Sequence, residues 1–303
     1  MLAIVIPYYN YKYLEFTLDS LSKQTNKNFN LYIGDDNSPN NPEILIDKYR
    51  NVLKIKYVRF DSNIGKTSLV KQWERCINLI EEETWIQILG DDDVLSENCV
   101  DAFFKHIGEI KKNNFKLIRF ASRYVDHNGV ALANYKDYFH PKIQKSTDSY
   151  FLHFKGESRS SLSEHIFNRI SYNKYKFFNF PLAWHSDDKA WLDFTNCGNL
   201  YTINEALVEV RLSNNNISGK TDNLKFKQKA RFLFFKDLVF NKIKHFKKYQ
   251  RTLLLLEFGV LMKKEDEIDF KNIFRVVLQL LKTGNMYAVL KFVKRMAKAK
   301  LNL

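Results

Sequence analysis

Three clusters of aspartates could bind or react with a ligand, at positions 35–36, 91–93 and 187–188. Adjacent carboxylates repel one another and prefer to be solvated, so a cluster of them needs a compensating cation. Hard oxygen ligands suit Mg²⁺ or Mn²⁺, and Mg²⁺ is commonly held by one or two carboxylates together with substrate phosphates. The triplet therefore predicts a site for Mg²⁺ or Mn²⁺; the alternative is a solvated turn in which an Asp caps a helix.

The last pair, Asp187 and Asp188, is flanked by Trp184, His185 and Trp191. Aromatic walls exclude water and raise the pKa of a carboxylate, which suits a general base. The three flanking residues are then candidates for the side of the site that receives an acceptor. The alternative is the first turn of a helix, and the same residues can serve both purposes.

Other polar residues suit a nucleotide. The carboxylates at 35–36 could accept hydrogen bonds from a base or a ribose, and Tyr9 could stack on a base. The segment Asn63-Ile-Gly65-Lys66 offers a tight turn before a helix, whose amides and lysine favour phosphate. Each of these features also has a purely structural interpretation, as a turn or as packing.

The elements that must position these residues alternate between strand-like and helical patterns. Apolar, strand-like runs stand at 2–6, 30–34, 54–60 and 84–89. This βαβα order over the first 110 residues predicts an open, mostly parallel sheet, which binds ligands at the carboxyl ends of its strands. We therefore expect four polar segments to converge on one rim: 7–10, 35–37, 63–65 and 90–93.

The pattern loosens after residue 115. We predict a strand over 116–121, loops over 126–160 and a closing strand over 201–212. From residue 220 the pattern is helical to the end, in two or three helices that break near 263–267 and 283–285.

The charge of the chain is concentrated at one end. The 48 Lys and Arg against 34 Asp and Glu give a net charge of +14. Residues 1–219 carry 27 of each sign, whereas residues 220–303 carry 21 basic and 7 acidic residues. A neutral body followed by a basic region indicates a separate anionic partner for that region.

Two interpretations of the basic region remain. Interleaved phenylalanines and lysines over 226–248, and the segment 287–300, suit a helix at an anionic lipid surface. The alternative is a helical cap whose apolar stripe packs on the body. A nucleic-acid-binding protein would also be basic and aromatic, but the basic residues avoid the body and no such motif is present.

Composition sets the remaining limits. With 45% hydrophobic and 27% charged residues, a disordered, collagen-like or solenoid chain has little support. Cys76, Cys99 and Cys197 lack metal-ligand spacing and predict free thiols in a reducing compartment, by default the cytoplasm. No signal-like segment opens the chain and no run of about 18 apolar residues occurs, so we expect neither secretion nor a membrane span.

Taken in order, five motifs resemble those of family 2 glycosyltransferases with the GT-A fold. They are Ala3-Ile-Val-Ile-Pro-Tyr-Tyr-Asn10, Leu18-Asp-Ser-Leu-Ser-Lys-Gln-Thr25, Ile33-Gly-Asp-Asp-Asn-Ser38, Asn63-Ile-Gly65 and Leu89-Gly-Asp-Asp-Asp93. The resemblance covers roughly residues 2–217. It implies a Rossmann-like α/β domain with helices on both faces of the sheet. It also implies transfer of a sugar from a nucleotide diphosphosugar, with inversion and with Mn²⁺ or Mg²⁺.

The resemblance also implies roles for individual residues. Asp36 would bind the base with Asp35 beside it, while Pro7 and Tyr9 would line the nucleoside pocket. We add further residues to the nucleotide-sugar site: Asn10, Asn63, Gly65, Lys66, Asp91 and Arg211. The segment from Arg211 to Ser218 resembles a loop that closes over the phosphates or the acceptor.

The register of the metal motif stays open. Asp91-x-Asp93 keeps the literal pattern, whereas counting back from Val94 places Gly90 at the first position and makes Asp92 a ligand. We assign the metal to Asp92 and Asp93 and place Asp91 among the residues that bind the nucleotide sugar, with the residue that contacts the ribose left open. The pair at 187–188 resembles the acidic dyad of the family, in which the second member, here Asp188, is the base.

These expectations divide the chain into a catalytic domain over 1–219 and a basic, amphipathic helical region over 220–303. Residues 1–115 would bind the nucleotide and residues 116–219 would face the acceptor. We expect a UDP-sugar as donor and a glycan or lipid-linked acceptor in cell-surface polysaccharide synthesis, at the inner face of the membrane. The alternatives are a nucleic-acid-binding protein and a catalytically inactive binder of sugar nucleotides.

Overall fold

The computed structural model describes residues 1–212 and 223–300. Of these, 1–179 and 186–212 form one compact unit, and 180–185 and 223–300 form a second. The boundary predicted after residue 219 lies outside the described residues, as do residues 213–218 of the predicted closing loop.

The first half of the first unit follows the predicted alternation. Its first four strands are β1 Leu2–Tyr8, β2 Phe29–Asp35, β3 Ile55–Arg59 and β4 Trp85–Ile88. They pair in parallel, and their order across the sheet is β3-β2-β1-β4. Three helices, α1 to α3, connect them: Leu14–Ser22, Glu43–Asp47 and Leu69–Ile77. The apolar run at the start of β1 is completely buried, as expected for a central parallel strand covered on both faces.

Strand β1 continues through Pro7, where the sequence predicts its end. The reason is the extent of pairing with β4, which stops at Val5. An N–H at position 7 would face the β4 side, as that of Val5 does, and β4 no longer pairs there. The proline therefore removes no hydrogen bond between the strands.

The second half of this unit adds the other five strands of the described sheet. In chain order the elements are β5 Val94–Leu95, α4 Cys99–Lys112, β6 Leu117–Val125, β7 Ile143–Lys145, α5 Ser146–Phe154, β8 His165–Asn168, α6 Arg169–Tyr175, α7 Ser186–Phe194 and β9 Asn199–Arg211. The main path of the sheet is β3-β2-β1-β4-β8-β6-β9-β5, and β7 pairs with β9. Strand β8 runs antiparallel to both its neighbours, so the sheet is parallel in its first half and mixed in its second.

The prediction of loops over 126–160 is wrong where β7 and α5 form. No side chain caps the N-terminus of α5, and few of its residues are buried apolar ones. No long apolar stripe therefore marked this helix in the sequence. Cys76, Cys99 and Cys197 are all buried, and no disulfide joins them.

The second unit is helical. Its helices are α8 Leu224–Asp237, α9 Lys248–Lys264, α10 Phe270–Leu281 and α11 Met286–Lys300, with short π and 3₁₀ turns over 238–245. The two predicted breaks are confirmed, and the turns over 238–245 add a third. Among the described residues, we find no helix with the length and apolar character needed to cross a membrane.

Much of the predicted lipid-facing stripe of α8 is interior. Phe232, Phe234 and Phe235 are fully buried, and so is Phe246 after the helix. Phe232 stacks on Phe258 of α9 with ring centroids 5.8 Å apart. These phenylalanines form the core of the helical unit and are not available to a membrane.

Candidate functional site

The loops after β1 and β4 are joined by one carboxylate. Asp91 Oδ2 accepts hydrogen bonds from the backbone amides of Tyr9 at 2.9 Å and Asn10 at 2.7 Å. Burial raises the pKa of Asp91 to about 6, although these two amides oppose the shift. The residue therefore anchors the segment after β1 to the acidic triplet.

A second carboxylate joins the next two loops. The backbone amide of Asp36 donates to the Tyr8 carbonyl at 3.0 Å, and its side chain accepts from the amides of Ile64 and Gly65, each at 2.9 Å. Arg75 of α3 forms an ion pair with the same carboxylate. Together with Asp91, these bonds bring all four polar segments to one edge of the sheet, as the βαβα order predicts.

Glycine at position 65 is required by space. A Cβ there would lie 2.3 Å from Asp36 Oδ2, which is already fixed by backbone donors. In the same turn, Asn63 Oδ1 accepts the amide of Lys66 at 2.9 Å, while the lysine side chain is exposed. The turn is thus built around the Asp36 carboxylate.

Asp35 is fully buried beneath this rim. Its carboxylate accepts the Ser38 amide at 2.7 Å, the Tyr57 hydroxyl at 2.7 Å and the Arg59 guanidinium at 3.0 Å. Tyr9 and Pro7 lie nearer the surface, with Tyr9 exposed and Pro7 half-buried. The sequence did not single out Arg59 and Arg75, because lone arginines carry no spacing signal.

The acidic triplet divides into side chains of different exposure. Asp93 is buried, with Oδ2 accepting the Ser163 hydroxyl and Oδ1 accepting the Arg211 amide at 3.0 Å. Burial, followed by the charge of Asp92, raises the pKa of Asp93 to about 7. Asp92 is half-buried, and both carboxylates lie over Gly90, where a Cβ would come within 2.9–3.0 Å of their oxygens.

This arrangement fits a divalent cation held partly by its substrate. Two adjacent hard oxygen donors lie over a glycine that leaves room for them, and their mutual repulsion favours a cation. Among residues 1–212 and 223–300, no three His, Cys, Asp or Glu side chains form a cage for a metal. A cation bound by these two carboxylates would take its remaining ligands from phosphates and waters.

Arg211, predicted to contact the nucleotide sugar, is buried at the end of β9. Its Nε donates to the Asp92 carbonyl at 3.0 Å and its Nη1 to the Asp126 carbonyl at 2.8 Å. The guanidinium lies 4.6 Å from the ring centroid of Tyr13 and 5.1 Å from that of Phe16. In this structure the residue holds the acidic loop in place.

The second acidic pair opens helix α7. Asp187 Oδ1 accepts the Asp188 amide at 2.9 Å in the first turn, where the positive end of the helix dipole favours carboxylates. Asp188 is buried, and its Oδ1 lies 3.1 Å from His153 Nδ1. Burial, followed by the charge of Asp188, raises the pKa of Asp187 to about 7.

The three aromatic candidates that flank this pair in the sequence lie in different surroundings. Trp184 and His185 belong to the second unit, where Lys227 lies 4.7 Å above the Trp184 ring and Phe234 stacks on His185 at 4.9 Å. Trp191 lies in the core of the first unit, stacked on His165 at 4.4 Å. Among the described residues, its indole nitrogen has no hydrogen-bond partner.

The segment before α7 has a strained backbone. Leu182, Ala183 and His185 have φ angles of 57°, 54° and 68°, in the left-handed region that non-glycine residues rarely occupy. Such conformations persist only where the surroundings impose them, and they concentrate at functional positions.

A short segment connects the triplet to the second acidic pair. Ser163 donates to Asp93, and the next residue, Glu164, is one of the charges that raise the pKa of Asp187. Glu164 is held by Arg159 at 3.4 Å, and both side chains are buried. Ser163 and Glu164 lie just beyond the loops predicted over 126–160, where no motif or periodicity pointed to this link.

The fold defines an α/β protein of the GT-A class whose acidic loops lie at the carboxyl ends of its parallel strands. Residues 3–171, more than half of the chain, match the family described as Glycosyl transferase family 2. The chain belongs to this family and is a glycosyltransferase, which confirms the predicted family. Comparison of the sequence with curated proteins gave no match.

Several solved structures of TarS from S. aureus have the same fold. TarS 1–349 in complex with UDP-GlcNAc has a TM-score of 0.67 at 15% identity, covering 99% of this chain and 87% of that one. TarS 1–349 in complex with UDP gives 0.56 at 16% identity, with coverages of 100% and 92%. A longer TarS chain gives 0.64 at 14% identity, and this chain covers 52% of it. These similarities confirm the predicted fold class.

Proposed function

We propose that the protein transfers a sugar, with inversion, from a nucleotide diphosphosugar to a hydroxyl group of a glycan or lipid-linked acceptor. The observation that carries the proposal is the junction of four loops by Asp36 and Asp91 at the carboxyl ends of the parallel strands. UDP-sugars are the favoured donors, because UDP-GlcNAc and UDP are bound in two of the TarS structures.

The donor would lie along this rim. The base would lie against Asp36 and Tyr9, and the diphosphate would extend towards the triplet past the turn at 63–66. An exposed aromatic ring can stack on a base, and the amides and lysine of a turn before a helix favour phosphate. Asn10 and Asp91 would form the ribose side.

The reaction is a single in-line displacement at the anomeric carbon. The acceptor oxygen forms a bond to that carbon as the bond to the diphosphate oxygen breaks, and the electron pair leaves with the diphosphate. The acceptor proton passes to Asp188, which acts as the general base, with Asp187 beside it. Attack from the face opposite the leaving group inverts the anomeric configuration.

Asp92 and Asp93 would hold the divalent cation. Mn²⁺ or Mg²⁺, when bound, neutralises negative charge on the departing diphosphate. The chain itself contributes the geometry, because Ser163 and the Arg211 amide fix the Asp93 carboxylate and Gly90 leaves space for it.

Asp188→Asn tests the assignment of the base. A panel of nucleotide sugars with Mn²⁺ first identifies the donor, by hydrolysis and by thermal stabilisation. The variant keeps the shape of the side chain but cannot accept the proton, so we expect transfer to fall by roughly 100-fold or more with the affinity for UDP unchanged. The matched control is Asp193→Asn, a change of the same kind on the same helix.

Retained turnover in Asp188→Asn would remove the base assignment. Binding of nucleotide sugars with no turnover by the unaltered protein would favour the catalytically inactive binder. Salt-sensitive binding of RNA in a gel mobility-shift assay, without any binding of nucleotide sugars, would favour the nucleic-acid-binding protein.

A second proposal concerns where the enzyme works. We propose that it attaches to the inner face of the membrane through the α10–α11 apolar surface, defined by residues 270, 274, 278 and 281 of α10 and 286, 290 and 293 of α11. These residues recur at helical spacing and are exposed within the described part of the chain; Phe274, for example, is 63% exposed and Leu290 67%. The opposite sides of both helices are buried.

The charge of this region supports a lipid surface as the partner. Residues 270–300 contain eight Lys and Arg and no Asp or Glu. A second copy of the same surface would bring like charges together, whereas anionic headgroups would meet cations contributing about 1 kcal/mol each. A lipid-linked acceptor would then be presented at the same surface.

Flotation with phosphatidylglycerol-containing vesicles tests this surface. The double variant Phe274→Ser, Leu290→Ser should lose most of its vesicle binding and keep its activity on a water-soluble acceptor. The matched control, Ile44→Ser with Ile170→Ser, changes residues that are 83% and 73% exposed on the first unit. Equal binding by all three proteins would refute the proposal. So would a wild-type oligomer that the double variant dissociates, since that result would assign the surface to self-association.

A further inference from the structure

Helix α5, which the sequence did not predict, brings His153 to the proposed base. Its Nδ1 lies 3.1 Å from Asp188 Oδ1, and α5 packs against α7, which carries Asp188. The two side chains help to line a small, partly open cavity of about 10 Å³, together with His165 and Trp191. Most of the imidazole is buried, with one third of the side chain exposed.

The charged groups around His153 are mostly acidic. Burial lowers the pKa of His153, but Asp188, Asp187 and Glu164 outweigh it and raise the pKa to about 9. Glu164 is itself paired with Arg159. His165, in the same cavity, is different, because burial lowers its pKa to about 4 and it stays neutral. His153 is therefore the cationic histidine of this cavity at neutral pH.

We propose that His153 is a positioning residue for the general base: it holds one oxygen of Asp188 by a hydrogen bond and keeps the carboxylate ionised. The inference rests on the proposed function, in which Asp188 accepts the acceptor proton. Fixing the carboxylate limits its rotation, and correct placement of a base accounts for large rate factors. An imidazolium beside a carboxylate also favours the ionised, proton-accepting form.

Two substitutions separate position from charge. In His153→Asn, the side-chain amide can replace Nδ1–H as donor but carries no charge; His153→Ala loses both. We expect the acidic limb of the kcat/KM profile to move to higher pH by about 1–3 units in both variants, because the stabilising cation is gone. Above this limb, His153→Ala should lose roughly 10- to 100-fold in kcat with the donor KM unchanged, whereas His153→Asn should keep most of kcat.

His165→Asn is the matched control, since it changes a neutral histidine of the same cavity and should leave the acidic limb in place. An unshifted limb in His153→Asn, or a kcat in His153→Ala equal to that of the wild type, would overturn the positioning role. If His153→Ala does not fold, the pH profile of His153→Asn still decides. Absence of turnover in the wild type would instead count against the proposed function.

Discussion

At the scale of single residues, the aspartates of this protein differ by their surroundings. Asp36 and Asp91 accept backbone amides and thereby tie loops together. Asp93 is buried next to another carboxylate, and Asp187 stands beside Asp188 at the start of a helix. One residue type therefore serves as a structural tie, a candidate metal ligand and a part of a candidate catalytic dyad, according to burial and neighbouring charge.

We predict that the stability of the fold depends on pH through Asp187 of the dyad. The pKa of Asp187 is raised to about 7, so the folded protein binds this proton more tightly than the unfolded chain does. Tighter binding of this proton stabilises the folded state fully below about pH 4, and this stabilisation is lost as the pH rises to about 7. Asp187→Asn cannot ionise, so its melting temperature should equal that of the wild type near pH 4 and exceed it increasingly up to pH 7.

Thermal melts from pH 4 to 8 measure this difference. Asp61→Asn, a change at an exposed aspartate, is the control and should follow the wild type throughout. Parallel curves for Asp187→Asn and the wild type would show that the proton on Asp187 is not linked to folding.

At the scale of elements, the site depends on turns that only small residues permit. The turn at 63–66 wraps around the Asp36 carboxylate, and Gly90 leaves space for two more carboxylates. Strands β1 to β4 deliver these turns to one edge, because parallel strands end on the same side of a sheet. The positions of the carboxylates at this edge therefore depend on how closely the backbone of the turns packs against them.

Gly65→Ala should disrupt this fit. Its Cβ would stand 2.3 Å from Asp36 Oδ2, so the carboxylate must give up its amide donors. A hydrogen bond to a charged group contributes about 1.5–3 kcal/mol, and we expect the Kd for UDP to rise roughly tenfold or more. Calorimetry with UDP and Mn²⁺ measures it.

Gly108→Ala is the control for this change. Gly108 lies inside α4 with no atom near its added Cβ, so alanine should stabilise the helix by about 0.5–1 kcal/mol and leave the UDP affinity unchanged. Equal UDP affinities for both variants would mean that the turn does not support the nucleotide.

At the scale of the whole molecule, charge is separated along the chain. The +14 net charge lies entirely in residues 220–303, while residues 1–219 are balanced. The carboxylates at the edge of the sheet thus belong to one part of the sequence and the basic helices to another. Their dependence on ionic strength should differ accordingly.

Binding to anionic vesicles should fall steeply as NaCl rises from 0.1 to 0.5 M, because the Debye length is already about 10 Å at 0.1 M and shortens further. The affinity for UDP with Mn²⁺, for which we propose direct contacts with the carboxylate rim, should change much less. Flotation and calorimetry over the same salt series compare the two. If vesicle binding does not change over this range of NaCl concentration, apolar contacts alone account for the attachment.

The sequence by itself determined the parallel half of the sheet, the convergence of residues 7–10, 35–37, 63–65 and 90–93, and the breaks between the last helices. These features follow from local periodicity and from the rule that parallel strands share an edge. The tertiary structure alone decided that His153 meets Asp188, that Ser163 holds Asp93, and that Phe232 and Phe234 turn inwards. Such contacts join residues 35 to 70 positions apart, or choose one face of a helix over another. They depend on how β8, α5 and α7 pack, and packing has no local signature in the chain.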